Sequence, residues 1–435
     1  MELLMLPPVL AGADRLFGEP GLVEVFRPYF SSDRGRWSIP MDTYVRMMFL
    51  KRRLGVGYER LCVEVAGSVT YRLFCGIGLT GLVPHHSTLK SITTRCGPDA
   101  VAGLNDVVVR AAAAGGDLDV SRVRVDTTFV DANIRHPRDS SLLGEAIRKL
   151  VARSELLIDC LDLDNMAIDA GAVGELARWG RSRHADRVDE ILVITDQIAD
   201  LAASAAVQAA AVLTAARRVL AGGGWAPKGT RRAVNVLVKV LGVIDRPVHQ
   251  ATERARHRHV PAGDKRVSLH DTDARPMRKG TTKHKGTQFA YTGEITEDNG
   301  GVIVDYEIHI GQPPDADLIG PAIQRVTDRV GQTPAAVTAD GTFGTAAARH
   351  DLTQTGVECV AIKALGIPDP GQTELETSDE FTTCRRWRAG IEARISHLKR
   401  DYQWDRARMS NLPGARTWLG WGVFAHNITK LALRT

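Results

Sequence analysis

From about Ser140 to His259 the chain carries only helical patterns, yet strand patterns stand on both sides of that stretch. Residues Arg122–Asn133 precede it, with Val123, Val125 and Phe129 on one parity and Arg124, Asp126 and Thr128 on the other. Two further strand patterns, Lys285–Ile295 and Val302–Ile310, follow it and are joined through Asn299-Gly300-Gly301, a strong hairpin signal. The order implies an α/β chain whose mixed sheet is interrupted by a large helical insertion, with candidate helices Leu143–Ile158, Ala172–Ile198, Leu201–Leu220 and Arg231–Arg258. Gly222-Gly223-Gly224 breaks the run; it lacks the Gly-Lys-Ser/Thr ending of a phosphate-binding loop and reads as a turn. Residues 1 to about 117 look helical, with Met41–Leu54, Tyr58–Val69 and Ser87–Cys96 as the clearest segments.

Three acids stand in informative places. Asp126 lies on the strand face opposite the valines. Asp340 ends a short buried strand, Ala335–Ala339, and is followed by a glycine turn and a helix from about Thr345. Glu392 sits in a stretch that reads as one helix, where Trp387, Ile391, Ile395, Leu398 and Tyr402 make an apolar stripe. Arg388, Glu392 and Lys399 form a second stripe beside it, because steps of four and seven return to nearly the same face. Each feature alone has a plain reading: a strand terminator, a turn former, a helix with ion pairs. Asp131 and Asp139 are decoys near Asp126; parity puts Asp131 on the other face unless a bulge intervenes.

Taken together, the three segments resemble the DDE transposases of bacterial insertion sequences. Asp126 matches the first acid in an Asp-Thr-Thr context and Asp340 the second in Ala-Asp-Gly. Glu392 matches the third, within a Tyr-x2-Arg-x3-Glu-x6-Lys pattern that Arg388, Glu392 and Lys399 fit by spacing. Arg385 stands where that pattern has Tyr, a departure that speaks against a hairpin-forming reaction. Asn133–Leu143, His270–Arg275, Tyr306–Ile308 with Gly311-Gln312-Pro313, and Pro84–Leu89 are further likenesses, so the resemblance runs from about residue 36 to about residue 430. It implies a ribonuclease-H-like catalytic core in 118–139 and 262–435. An N-terminal helical domain in 1–117 would serve DNA-end binding or dimerisation, and 140–261 would be the helical insertion.

The resemblance further implies cutting of element ends and joining of 3′-hydroxyls to target DNA by two-metal phosphoryl transfer. Asp126, Asp340 and Glu392 would hold two Mg²⁺ ions, with Mn²⁺ expected to substitute. Arg388, Lys399, Arg385 and Arg394 would contact double-stranded DNA, both terminal inverted repeats and target, and a homodimer on DNA is expected. A catalytically inactive DNA-binding protein and a sequence-independent nuclease of the same fold stay open as alternatives.

Composition agrees with these expectations without requiring them. With 44% hydrophobic and 25% charged residues and a net charge of +5, the 435-residue chain reads as an ordinary globular protein of two or three domains. Between Phe381 and Arg408 the basic residues outnumber the acids, as a phosphate-contacting surface would. Six scattered cysteines without a Cys-x2-Cys pair argue against a zinc site and fit a reducing cytoplasm. No secretory signal is evident, and the uncharged runs Leu73–Leu89 and Leu201–Ala216 are too short to span a bilayer comfortably.

Overall fold

The computed structural model describes residues 6–19, 21–30, 39–163, 165–169, 174, 176, 188–222, 226–278 and 286–434. The chain divides into two compact units, one formed by residues 1–133 and 291–435, the other by 134–290.

The first unit begins with helices α1 (Pro8–Phe17), α2 (Met41–Arg53), α3 (Tyr58–Gly67), α4 (Val69–Phe74) and α5 (His86–Ala114). The last of these extends well beyond Cys96 and is kinked at Gly97-Pro98, where proline has no N–H to give the ladder. Strand β1 (Arg122–Ala132) follows.

The second unit holds α6 (Asp139–Cys160), α7 (Val188–Ala221), α8 (Thr230–Leu241) and α9 (Asp245–Ala255). The single helix expected over Arg231–Arg258 is thus two, parted at Gly242–Ile244. The candidate helix Ala172–Ile198 falls largely outside the described residues, as do Gly223 to Trp225 of the glycine turn. By length and hydropathy α7 could cross a membrane. Its Ala199, Ala202, Ala205, Ala209, Val212 and Ala216 form a stripe at helical spacing, buried with Leu143, Ile147 and Leu150 of α6 and Leu237 of α8. Small side chains let the helices approach closely, so α7 serves as the central core helix of this unit. Asp139 accepts from Gln250 (2.5 Å) and Arg254 (2.6 Å), tying the start of α6 to α9. Strand β2 (Arg275–Met277) pairs antiparallel with Gln288–Ala290.

The chain then returns to the first unit through β3 (Gln288–Asp298) and β4 (Ile303–Ile310), joined by the expected Asn299-Gly300-Gly301 turn. Next come α10 (Asp315–Val330), β5 (Ala336–Thr338), α11 (Ala346–Gln354), β6 (Cys359–Ala361), α12 (Pro370–Thr377), α13 (Asp379–Arg388), α14 (Gly390–Asp401), β7 (Arg406–Ala407) and α15 (Asn411–Ala432). The sheet is mixed. β3 lies beside β1, β1 is parallel to β5, and β5 is parallel to β6; β4 runs antiparallel to β3. Val123, Val125, Val337, Val360, Ile319 and Ile323 are buried together between sheet and helices. Helix α15 is buried along most of its length, and its Trp421 and Phe424 meet Phe17, Phe26 and Tyr44 at ring separations of 5.8 to 6.0 Å.

The strand parity expected for β1 holds only at its start. Val123 and Val125 are buried, but farther along Thr128, Val130 and Ala132 are buried while Phe129 is half-exposed. The strand changes neighbours along its length, and its buried face changes with them.

Candidate active site

Strand β1 has two parallel partners on one edge, at different heights. β5 pairs with Arg122–Arg124 and β7 with Asp131–Ala132. In a strand the backbone groups of alternate residues face the same edge. Ser121 O accepts from Ala336 N and Asp131 N donates to Asp405 O, so odd-numbered residues face this edge. The groups of Val125, Thr127 and Phe129 therefore open into the gap between β5 and β7, where other atoms meet them. Thr127 N donates to Asp126 Oδ1 (2.7 Å), and Lys399 Nζ donates to Phe129 O (2.8 Å).

Two of the three acids meet at this gap. The parallel register ends at Arg124 and Thr338, so Asp126 and Asp340 each lie two residues beyond the last pair, and the charge of Asp340 reaches Asp126. Asp340 is exposed and caps a short 3₁₀ turn (Gly341–Phe343), accepting from Gly341 N at 2.8 Å. Asp126 is half-buried, and its carboxyl is pushed up to about 6. Burial is the main cause; Thr127 N–H and the Arg388 guanidinium pull it down, and the charges of Asp340 and Asp315 push it up.

Asp315 was not among the acids singled out in the sequence. It opens α10 and accepts from Thr127 Oγ1 (3.1 Å), next to Asp126. Its position after Pro313-Pro314 reads as an ordinary acid in a first helical turn, favoured by the helix dipole. Only the pairing of sheet and helix reveals its neighbour.

Glu392 is exposed in the first turn of α14. The helix expected to run unbroken through residues 385–399 is two, α13 and α14, parted at Ala389. The break has a physical cause. Arg124 sends Nη1 to Trp387 O (2.6 Å), with its guanidinium over the Trp387 ring at 4.5 Å. A Cβ on Gly390 would stand 2.4 Å from that same nitrogen, so a larger residue here requires the Arg124 side chain to shift. The apolar stripe survives the break, with Ile391, Leu398 and Tyr402 buried. Among the described residues no group of three or more His, Cys, Asp or Glu side chains is arranged to hold a metal ion.

Two family models match the chain: the transposase domain DUF772 over residues 11–95 and the transposase DDE domain over residues 252–428. The first spans α1 to the middle of α5, and the second takes in Asp340 and Glu392. The chain belongs to the insertion-sequence DDE transposases. No curated protein and no solved structure matches it. Membership makes it a transposase that processes nucleic acid, and the family typically uses divalent metals.

In this transposase the four cations expected to meet DNA have different surroundings. Arg388 is half-buried and its charge acts on Asp126, which leaves it beside the acids. Arg385 is exposed. Lys399 is half-buried against β1, holding α14 to the strand that carries Asp126. Arg394 differs from the sequence expectation. Its Nε donates to Glu297 Oε1 (2.6 Å), and Glu297 is fully buried and also takes two bonds from Arg124, at 2.8 and 2.7 Å. A guanidinium committed to a buried carboxylate is a structural ion pair. The spacing that put Arg394 on the basic surface could not show that β3 carries its counter-charge. Asp131 faces Arg406 at 3.7 Å, as a residue outside the acid site.

Proposed function

We propose that the chain cuts the ends of its element and joins the 3′-hydroxyls to target DNA, on a ribonuclease-H-like core in which Asp126, Asp340 and Glu392 hold two divalent ions. The observation that carries the reading is that the parallel pairing of β1 and β5 ends two residues before Asp126 and Asp340, with the charge of Asp340 acting on Asp126. Carboxylate oxygens suit Mg²⁺, and the raised Asp126 carboxyl marks a place where negative charge lacks compensation. Bound divalent ions would supply Lewis acidity to the attacking and the departing oxygen. The protein's own part is positional. Thr127 N–H fixes one Asp126 oxygen, and Lys399 holds α14 against β1. Arg388 offers a guanidinium to a phosphate beside the acids.

Residues 1–117 are proposed to bind the element ends or to dimerise, with a homodimer bridging two ends in the cytoplasm. The alternative reading is an inactive DNA-binding protein of the same fold.

The test is Mn²⁺-dependent cleavage of DNA carrying the flanking inverted repeats, wild type beside Glu392→Gln. End-specific cutting by wild type alone, with binding kept in the variant, supports the proposal. Binding without cutting by wild type establishes the second reading. Cutting without preference for the ends identifies a general nuclease.

A further inference from the structure

Away from the acids, the C-terminal end of α2 places two cations inside the first unit. Lys51 and Arg52 are each 1% exposed. The helix stops there in a Schellman arrangement: Val56 N donates to Lys51 O and Gly55 N to Arg52 O, with Gly55 at φ 68°. Arg52 donates to Gln403 Oε1 (3.0 Å) and Trp418 O (2.5 Å) and lies 3.7 Å from the Trp418 ring centre, while its buried Nε finds no partner among the described residues.

Lys51 has no such partners. Its ammonium lies between two aromatic faces, 4.7 Å from the Tyr58 ring centre and 4.4 Å from that of Trp418. Among the described residues it has neither a hydrogen-bond partner nor a carboxylate beside it. Instead it lines a cavity of about 280 Å³ together with Lys90 and Arg408, and no Asp or Glu is in the wall. At about 30 Å³ per water, that space exceeds what one or two waters need. Burial, with Arg52 and Arg408 nearby, pulls the Lys51 ammonium down to about 6.

A buried ammonium facing two other cations is costly unless a negative charge joins it. The aromatic faces offset part of that cost, though less than an anion would. Tyr58 and Trp418 also wall the space on two sides.

We propose that this cavity binds a phosphate group, with Lys51, Lys90 and Arg408 as its charged contacts. Resting on the DNA reading above, the expected source is a backbone phosphate of DNA held at a distance from the acids; free phosphate is the other source of the same chemistry. A phosphate here would anchor α2, α5 and the loop before α15 to one point on the nucleic acid.

The experiment uses the full chain, with Lys51→Met and Arg408→Gln. Thermal unfolding is followed with and without about 50 mM inorganic phosphate, using chloride of equal ionic strength as control. Wild type should gain about 3 °C from phosphate and each variant markedly less. In parallel, binding of a duplex carrying the flanking repeat is measured against salt. If DNA is the source, each variant shows a salt slope shallower by about one, the signature of one lost phosphate contact. A phosphate-dependent gain with unchanged DNA slopes keeps the site and assigns it to free phosphate. Wild type that binds no DNA yet gains from phosphate overturns the DNA reading alone. No phosphate gain in wild type and no change of slope in variants that melt like wild type overturns the proposal.

Discussion

Glu297→Gln tests the account of what holds the junction between α13 and α14. Glu297 is fully buried on β3, and its two oxygens take bonds from Arg124 and Arg394, whose side chains are only 9% and 16% exposed. Glutamine keeps the shape but removes the negative charge and turns an N–H₂ group toward a guanidinium. Removing one partner of a buried ion pair costs about 3–5 kcal/mol, because the remaining charge stays buried without compensation. For a unit of this size that corresponds to a fall in Tm of roughly 6–15 °C. Urea unfolding followed by tryptophan fluorescence, with calorimetry at pH 7, reads both numbers. The triple variant Arg124→Met/Glu297→Leu/Arg394→Met should recover at least half of the loss, since apolar replacement of a whole buried triad is often neutral or stabilising. A single-variant loss below about 1 kcal/mol would refute the reasoning.

His426 is buried beside Arg394, His397 and Lys430, and burial foremost pulls its imidazole down to about 3. The unfolded chain therefore takes up a proton below pH 6.5 that the folded chain refuses, so stability is lost as pH falls; measured against His426→Gln, wild type should lose about 1.4 kcal/mol per unit between pH 6 and 4.5. The raised Asp126 carboxyl has the opposite sign: its penalty is absent below pH 3.8 and full above about 6. Asp126→Asn in a chelating buffer should thus be more stable than wild type at pH 8 by about 2–3 kcal/mol, and the gain should vanish by pH 4. Gly390→Ala gains helix propensity of about 1 kcal/mol but drives its Cβ into Arg124; a net loss of roughly 1 kcal/mol is expected in urea unfolding, and a more stable variant would overturn the close-approach argument.

The local elements could be read from residues because their signals are local. The Asn299-Gly300-Gly301 hairpin, the short strand before Asp340 and the helix after Thr345 all stand where their turn and cap residues put them. The neighbours of those elements could not be read in this way. Arg394 looked like part of a basic face because its counter-charge lies 97 residues away on β3. The break at Ala389 depends on Arg124, which packs there from β1. Asp315 joined the acids through Thr127, and no motif links the two. Lys51 is one of three basic residues in the last turn of α2, a common pattern in sequence; only the placement of Tyr58 and Trp418 shows it enclosed.

The aromatic cluster that joins α1 to α15 sets a schedule for synthesis. Phe17 packs against Phe424, its ring centre 5.9 Å away, and 406 residues lie between them. At about 5–20 residues per second, Phe17 waits roughly 20–80 s for its partner. Meanwhile the second unit, contiguous from Ile134 to Ala290, already has all of its own residues and can close. The strand bearing Asp126 thus emerges early and gains its sheet neighbours β5 and β7 late, so no nascent chain can carry the paired acids before most of it has been made.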